Sequence, residues 1–511
     1  MMEILGLLSD GFLLAMQPLN LLLIIIGVTL GLFIGAMPGL GSVNGVAILL
    51  PITFLVPPGS AIIFLAAIYY GAMYGGAISS ITLGIPGAST AVATTFDGRP
   101  LAMKGRASLA LVTAAVASFI GGTVSNIFFT AFAPPLASVA LSFGPPEIFA
   151  LMLLAFATFV GLGGDDIPKT IFSICIGLVF ASVGYDEISG APRLIFFDIT
   201  GFLHGINFLV LAIGVYGIGE MLWTIDSTRG KITSTEAKFS VKGVLADGKE
   251  ALQRGWKGTT IGSLIGFFVG ILPAAGATPG SLMSYGVAKM LSKNPGEYGK
   301  GHPDGVAAPE SANNSASTGS MLPMLTLGIP GSPTTAILLG GMVIWGLTPG
   351  PRLFVEQSEF VWGLIGSFYV SNFFALVVNL AFIPVFIWML RMPFTILAPM
   401  IFVLSVVGGY AATRDMHDVW LMLVFGVGAF FLRKLDYPVA PAVLAIVLGP
   451  IAEPTLRQSL LLSSGDPMIF LNRPIAGPIT VIAIVLILLP LFKFAWNKFK
   501  RTGGNQPAQQ G

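Results

Sequence analysis

Charge is scarce in this chain of 511 residues: Asp, Glu, Lys and Arg together make up 10% of it. A soluble globular chain carries about 25%, so water is excluded as the main solvent. Histidine is nearly absent, and the three present, His204, His302 and His417, are scattered. None belongs to an H-E-x-x-H helix, and the His302/Asp304/Glu310 grouping lacks the spacing of a metal site. There is no Walker-type glycine loop, so the chain does not itself hydrolyse a nucleotide. Coupling must come from an ion gradient or another subunit. Cysteine occurs once, at Cys175, which excludes an intramolecular disulfide. Its apolar surroundings read as those of a small buried hydrophobe. A net charge of +2, with no basic patch interleaved with aromatics, gives no reason to expect nucleic acid. Met1–Asp10 has no basic residue and no small-residue cleavage site follows it, so the first long apolar segment reads as an uncleaved insertion signal.

What is abundant is apolar length. Hydrophobic residues fill 54% of the chain and mean hydropathy is +0.86. Runs such as Leu21–Phe33, Phe208–Gly219 and Ile479–Phe492 are unbroken, where barrel strands would alternate over ~10 positions. The fold class is therefore an all-α polytopic membrane protein. Apolar windows of about 20 residues give about 12 membrane segments. Many are interrupted by the 64 glycines and 35 prolines. Irregular backbone at membrane depth is tolerated only where protein buries it or where it lines a cavity, so the breaks read as discontinuous or re-entrant helices.

Two of the breaks are duplicated. Gly31-Leu-Phe-Ile-Gly-Ala-Met-Pro-Gly-Leu-Gly41 matches Gly266-Phe-Phe-Val-Gly-Ile-Leu-Pro-Ala-Ala-Gly276 in order and spacing, and Thr82-Leu-Gly-Ile-Pro-Gly87 recurs unchanged as Thr326-Leu-Gly-Ile-Pro-Gly331. Charge at the ends of the two copies is swapped. The first runs from acidic Met1–Asp10 to Asp97–Ala107, which holds Arg99, Lys104 and Arg106. The second follows the basic stretch Thr224–Gly258 and ends at Thr348–Glu359, where Arg352 stands against Glu356 and Glu359. The positive-inside rule places the two basic stretches, and a tail with Lys493, Lys498, Lys500 and Arg501, in the cytoplasm. Two inverted-topology repeats result, with substrate expected at their interface; the alternative is a symmetric scaffold without a site. This divides the chain into a first transporter repeat (1–143), connecting helices and a basic loop (144–258), a second repeat (259–400), C-terminal helices (401–500) and a disordered tail (501–511).

Each break has chemistry to offer. Proline removes a donor and glycine permits positive φ, and a helix restarting beyond them presents free N–H groups and partial positive charge. That suits an anion without burying a lysine. At the first breaks the candidates are Pro38, Gly39, Gly41, Ser42 and Asn44, with Gly276 and Thr278 in the second copy. At the second breaks they are Gly84, Pro86, Gly87, Ser89 and Thr90, and Gly328, Pro330, Gly331, Ser332, Thr334 and Thr335. The plainer readings are a kink, a small-residue packing contact, or the N-caps of ordinary helices.

The most polar part of the second copy carries Glu310, Asn313, Asn314 and Ser315. Amide, hydroxyl and carbonyl oxygens suit a hard cation such as sodium, and Glu310 could instead take a proton. A solvated loop leading into a capped helix is the competing reading. The first copy has Tyr69, Tyr70, Gly75 and Gly76 there, so the polar group is one-sided. No catalytic constellation, metal centre or cofactor is expected, apart from a coupling sodium or proton.

At these residues the chain resembles the large membrane subunit of the tripartite tricarboxylate transporter family. The resemblance is carried by Gly35-Ala-Met-Pro-Gly-Leu-Gly41, Tyr74-Gly-Gly-Ala-Ile78, Leu83-Gly-Ile-Pro-Gly87, Asp97-Gly-Arg-Pro100, Gly301-His-Pro-Asp-Gly-Val-Ala-Ala-Pro-Glu-Ser-Ala-Asn-Asn314 and Leu327-Gly-Ile-Pro-Gly-Ser332. It implies uptake of citrate-like or other carboxylates across a bacterial inner membrane. It also implies two partners, a small integral membrane subunit and a periplasmic substrate-binding protein. The rival readings are an ion-coupled transporter or antiporter for another solute and a non-transporting membrane scaffold. An antiporter would call for intramembrane acids in both halves, and only Glu310, Asp165 and Asp166 stand out.

Overall fold

Proline sets where several helices begin. Pro18, Pro58, Pro303 and Pro333 stand in the first turns of their helices, where a missing N–H costs nothing. The computed structural model describes residues 2–37, 40–84, 86–162, 167–186, 188–195, 199–227, 241–273, 275–389 and 394–488. The chain opens with α1 (Met2–Ala15), α2 (Pro18–Ala36), α3 (Gly41–Leu49), α4 (Pro58–Thr82), α5 (Val92–Leu101) and α6 (Ala107–Ala140). Next come α7 (Pro145–Leu162), α8 (Ile167–Ala181), a small antiparallel hairpin of β1 (Gly184–Tyr185) and β2 (Pro192–Arg193), α9 (Phe208–Ala212) and α10 (Glu220–Ser227). The second set is α11 (Val241–Ile271), α12 (Ala277–Leu291), α13 (Pro303–Leu327) and α14 (Pro333–Ile344). Then follow α15 (Leu353–Glu356), α16 (Ser358–Met389), α17 (Phe394–Thr413), α18 (Met416–Lys434), α19 (Val439–Leu462), α20 (Ile469–Asn472) and α21 (Ala476–Leu488).

Among the described residues, six helical segments are long and apolar enough to cross a membrane: Pro18–Ala36, Pro58–Thr82, Ser89–Ala140, Ser358–Val385, Met416–Lys434 and Val439–Leu462. Shorter apolar helices stand beside them, and the chain is an all-α, multi-pass membrane protein. Large hydrophobics on its outside, such as Leu22, Phe268, Phe373 and Val424, are what a lipid solvent requires.

The duplicated sequences are packed alike. Gly27, Gly31 and Gly35 on α2 lie against the carbonyls of Phe64, Ile68 and Ala72 on α4. On α11, Gly262, Gly266 and Gly270 lie against those of Ala308, Ala312 and Ala316 on α13. An added Cβ at any of the six would come within 2.2–2.8 Å of the facing oxygen, so only glycine permits the approach. The spacing of four keeps one residue per turn on the seam. The register of the two pairs is the same, which aligns Tyr69 with Asn313 and Ala66 with Glu310.

Several expectations change here. Asp97–Ala107 is not a loop, because Asp97 is buried in α5 and Ala102–Arg106 forms a wide turn into α6, with Gly105 at φ 77°. The stretch Thr224–Gly258 is helical at both ends, since α10 reaches Ser227 and α11 starts at Val241. Lys242, Lys249, Arg254 and Lys257 are thus helical, while Arg229, Lys231 and Lys238 lie outside the described residues. At this polar end Arg106 donates to Glu250 at 2.6 Å and holds that carboxyl below its usual range. Cys175 is exposed on α8 rather than buried. Asp165, Asp166 and the tail from 489 onward lie outside the described residues.

Candidate functional site

Glycine makes each break, and the four glycines coincide pairwise in conformation as in sequence. Gly41 and Gly276 have φ of 62° and 68°, and Gly84 and Gly328 have 72° and 71°. A side chain is strained there. Beyond each break a helix restarts: α3 at Gly41, α12 at Ala277, α14 at Pro333, and a short turn at Ser89–Ala91 that runs into α5. Pro38 and Gly39 lie outside the described residues.

The breaks meet. Within the second copy the Gly276 N–H donates to the Gly331 carbonyl at 2.9 Å. In the first, Gly41 lies against Ala88, 3.0 Å from an added Cβ. Between copies the Ser42 and Thr334 hydroxyls are 2.9 Å apart, and those of Ser89 and Thr278 3.0 Å. The first break of each copy therefore touches the second break of the other. The Ser42–Thr334 bridge is buried, whereas Ser89 is exposed. Asn44 is buried on α3, and Thr90 and Pro86 are half-buried beside Ser89. Gly87 is tucked against Gly35 and Gly76, and Gly331 against Ser320, the same relation in both copies. Pro330 is buried next to Gly331.

Ser332 and Thr335 show the capping role weighed above. The Thr335 N–H donates to Ser332 Oγ at 3.2 Å and the Ser332 N–H to Thr335 Oγ1 at 2.8 Å, a reciprocal box. Ser332 also faces the Tyr69 hydroxyl at 3.3 Å, which lies equally far from Ser320. Tyr69 thus extends the first copy's reach to the second copy's break.

The segment around Glu310 is neither loop nor solvated. Every residue of α13 from Pro303 to Thr326 is buried, Glu310 completely. Its carboxylate accepts from the Thr94 hydroxyl on α5, with Ser118 on α6 at 3.4 Å, and among the described residues no basic side chain is one of its partners. Asn313 donates to the Met73 carbonyl and Asn314 to that of Glu310, both at 3.2 Å. Their Oδ1 atoms are buried without a hydrogen-bond partner among the described residues. Ser315 is committed elsewhere, donating to the Ser263 carbonyl on α11 at 2.6 Å. The column continues where Tyr70 donates to Asn126 and Tyr74 to Asn372, both at 2.7 Å. Within about one turn of α13 stand one carboxylate, with two hydroxyls on it, and two open amide oxygens, hard oxygens of the kind that suits an alkali cation or a proton. Among the described residues no cluster of His, Cys, Asp and Glu is fit for a transition metal.

Sequence reasoning passed over Thr94, Ser118 and Asp97. Asp97 accepts from the N–H groups of Gly299, Gly301 and His302 at 2.7–2.9 Å and from the Tyr285 hydroxyl at 2.9 Å. This ties α5 of the first copy to the turn that starts α13 of the second. Its place in the Asp97-Gly-Arg-Pro100 motif was the available signal. Arg99, in the same motif, donates to the Thr82 carbonyl and packs over Gly84.

Duplicated helix breaks whose hydroxyls meet, inside a multi-pass membrane protein, are a feature shared with membrane transport proteins. The chain belongs to the tripartite tricarboxylate transporter TctA family, whose model matches residues 21–444. It is 38% identical over 493 residues to an uncharacterised 52.8 kDa protein of the TAR-I ttuC' 3' region of Agrobacterium vitis, a match that covers 96% of this chain and 97% of that one. A second protein, from the TAR-II ttuC' 3' region of the same organism, is 38% identical over 226 residues, 44% of this chain and 93% of its own. No solved structure matches the chain.

Proposed function

We propose that this chain is the permease subunit of a tripartite, binding-protein-dependent secondary transporter that takes up tri- or dicarboxylates across the bacterial inner membrane by sodium or proton symport. The observation that carries the proposal is the reciprocal meeting of the breaks, Ser42 with Thr334 and Ser89 with Thr278. Three restarting helices, α3, α12 and α14, and the turn at Ser89–Ala91 bring the partial positive charge of their N-terminal ends to one junction, which favours an anion. A carboxylate entering there would replace the hydroxyl–hydroxyl bonds with stronger, charge-assisted ones. The coupling cation sits at Glu310, Asn313 and Asn314, where the two open amide oxygens support it. The aligned position in the first copy is Ala66, so acids do not face each other from both halves as an antiporter would require.

Alanine at both Ser42 and Thr334 should leave protein in the membrane yet weaken carboxylate affinity at least about a hundredfold, since each hydrogen bond to a charged ligand contributes roughly 1.5–3 kcal/mol. Unchanged uptake in this pair and in a Ser89→Ala/Thr278→Ala pair would move the site elsewhere. Orientation is tested separately. With the copies inverted in about 12 crossings, cysteines placed at Lys104 and Glu356, both exposed, should label from opposite sides. The background must be Cys175→Ala, because that thiol is exposed too. Labelling of both from one side would end the inverted arrangement.

The partners are a small integral membrane subunit, which should co-purify in detergent, and a periplasmic binding protein docking transiently. Proteoliposomes holding the permease alone should take up carboxylate poorly, and adding both partners should restore high-affinity uptake. Full-rate, high-affinity uptake by the permease alone would overturn the tripartite dependence while leaving carboxylate transport standing.

A further inference from the structure

The polar end of α11 meets the far end of α12 around a cavity of about 210 Å³. Its wall carries Arg254, Trp256, Lys257, Lys293 and His302, together with Asp304. The acid is already engaged, accepting from the Gly258 N–H at 2.6 Å and from the Tyr298 hydroxyl at 2.8 Å. Arg254 is shared with Glu250 at 3.0 Å. Lys257 and Lys293 have no carboxylate partner among the described residues, and the Lys257 ammonium stands 5.8 Å from the centre of the Trp256 ring. The three cationic side chains Arg254, Lys257 and Lys293 therefore stand against one carboxylate of the wall, Asp304, with Glu250 on Arg254 and Glu297 3.5 Å from His302 at the margin, so the cavity is net positive.

Directly below, the outer face turns apolar. Trp256, Leu264 and Phe268 repeat along the exposed side of α11, with Leu282 and Met283 exposed on α12. The two helices run antiparallel, since Ile271 and Ala277 lie at the break while Ile261 and Ala288 share the cavity. The 15 residues of α12 give the furrow a length of about 22 Å, at 1.5 Å per residue. Basic groups and an exposed tryptophan at one end, and an apolar furrow leading away from them, match an amphiphile with an anionic head.

The geometry points to a binding site for an anionic phospholipid, its phosphodiester held by Lys257, Lys293 and Arg254 and an acyl chain lying along the α11–α12 furrow. The site lies at the end of α12 remote from Thr278, so a resident lipid would brace the helix that carries one side of the Ser89–Thr278 bridge. It does not depend on which solute the junction takes.

The test is native mass spectrometry of the full-length protein in detergent. Phosphatidylglycerol is compared with phosphatidylcholine of the same acyl chains and, in a third arm, with inorganic phosphate. Wild-type protein should retain phosphatidylglycerol. A Lys257→Gln/Lys293→Gln protein should bind it roughly thirtyfold more weakly, at about fivefold for each basic residue lost. Lys249→Gln, outside the cavity, should bind as wild type does. Equal retention of the two lipids, or undiminished phosphatidylglycerol in the double variant, would overturn the site. Inorganic phosphate bound as tightly as the lipid would also overturn it, making this a pocket for a soluble anion. All three substitutions are at exposed lysines, and an unchanged unfolding temperature without lipid would confirm that the fold is intact.

Discussion

Glu310→Gln should abolish carboxylate uptake driven by a cation gradient while leaving the protein folded. The carboxyl is wholly buried, met by Thr94 and Ser118 and, among the described residues, by no basic group. An uncompensated charge in such a place is costly, so the group is stable only with a proton or a cation beside it. Glutamine keeps the shape and removes the charge, and its unfolding temperature in detergent should be unchanged or higher. Losing a charged partner costs roughly 1.5–3 kcal/mol, so cation affinity should fall ten- to a hundredfold or more. The measurement is uptake into proteoliposomes under an imposed sodium or pH gradient, compared with exchange at equal ion concentrations. Wild-type, gradient-driven accumulation by the glutamine protein would remove Glu310 from coupling.

Asp97→Ala should cost stability more than any substitution at the hydroxyls. It would strand three backbone N–H groups and the Tyr285 hydroxyl around an empty space. Each buried donor left unsatisfied costs roughly 1–3 kcal/mol. Asp97→Asn should fall between, because its amide oxygen accepts while its NH₂ faces donors. Gly305 packs so closely that an added Cβ would lie 2.1 Å from the Asp97 carboxylate, so the turn has no slack with which to close the gap. Thermal unfolding in detergent reads the difference. An alanine protein as stable as wild type would show that the α5–α13 tie is dispensable.

The duplicated breaks were legible in the sequence because their cause is local. Glycine at positive φ leaves its mark on the chain itself, and Gly41/Gly276 and Gly84/Gly328 agree in sequence and in conformation. The burial of α13 was not legible. Ser311, Asn313 and Ser315 look solvated until Thr259, Met73 and Ser263, all distant in sequence, supply their partners. Asp97 hid for the same reason, since an acid beside Arg99, Lys104 and Arg106 reads as surface charge, and only the turn at 299–302 makes it an internal anchor. The exposure of Cys175 inverts a rule learned from water, because the outer face of a membrane helix is itself apolar.

The glycine seams also limit how this molecule can move. Each of the six glycines seats a carbonyl of the facing helix one turn from the next, like teeth on a rack. Intermediate offsets would drive those carbonyls into side chains, so slip along a seam is quantised at the four-residue spacing, about 6 Å at 1.5 Å per residue. Below that threshold α2 with α4, and α11 with α13, travel as rigid bars. Smaller displacements then fall on the joints between bars, and the joints are Gly41, Gly84, Gly276 and Gly328, where the hydroxyl bridges also lie.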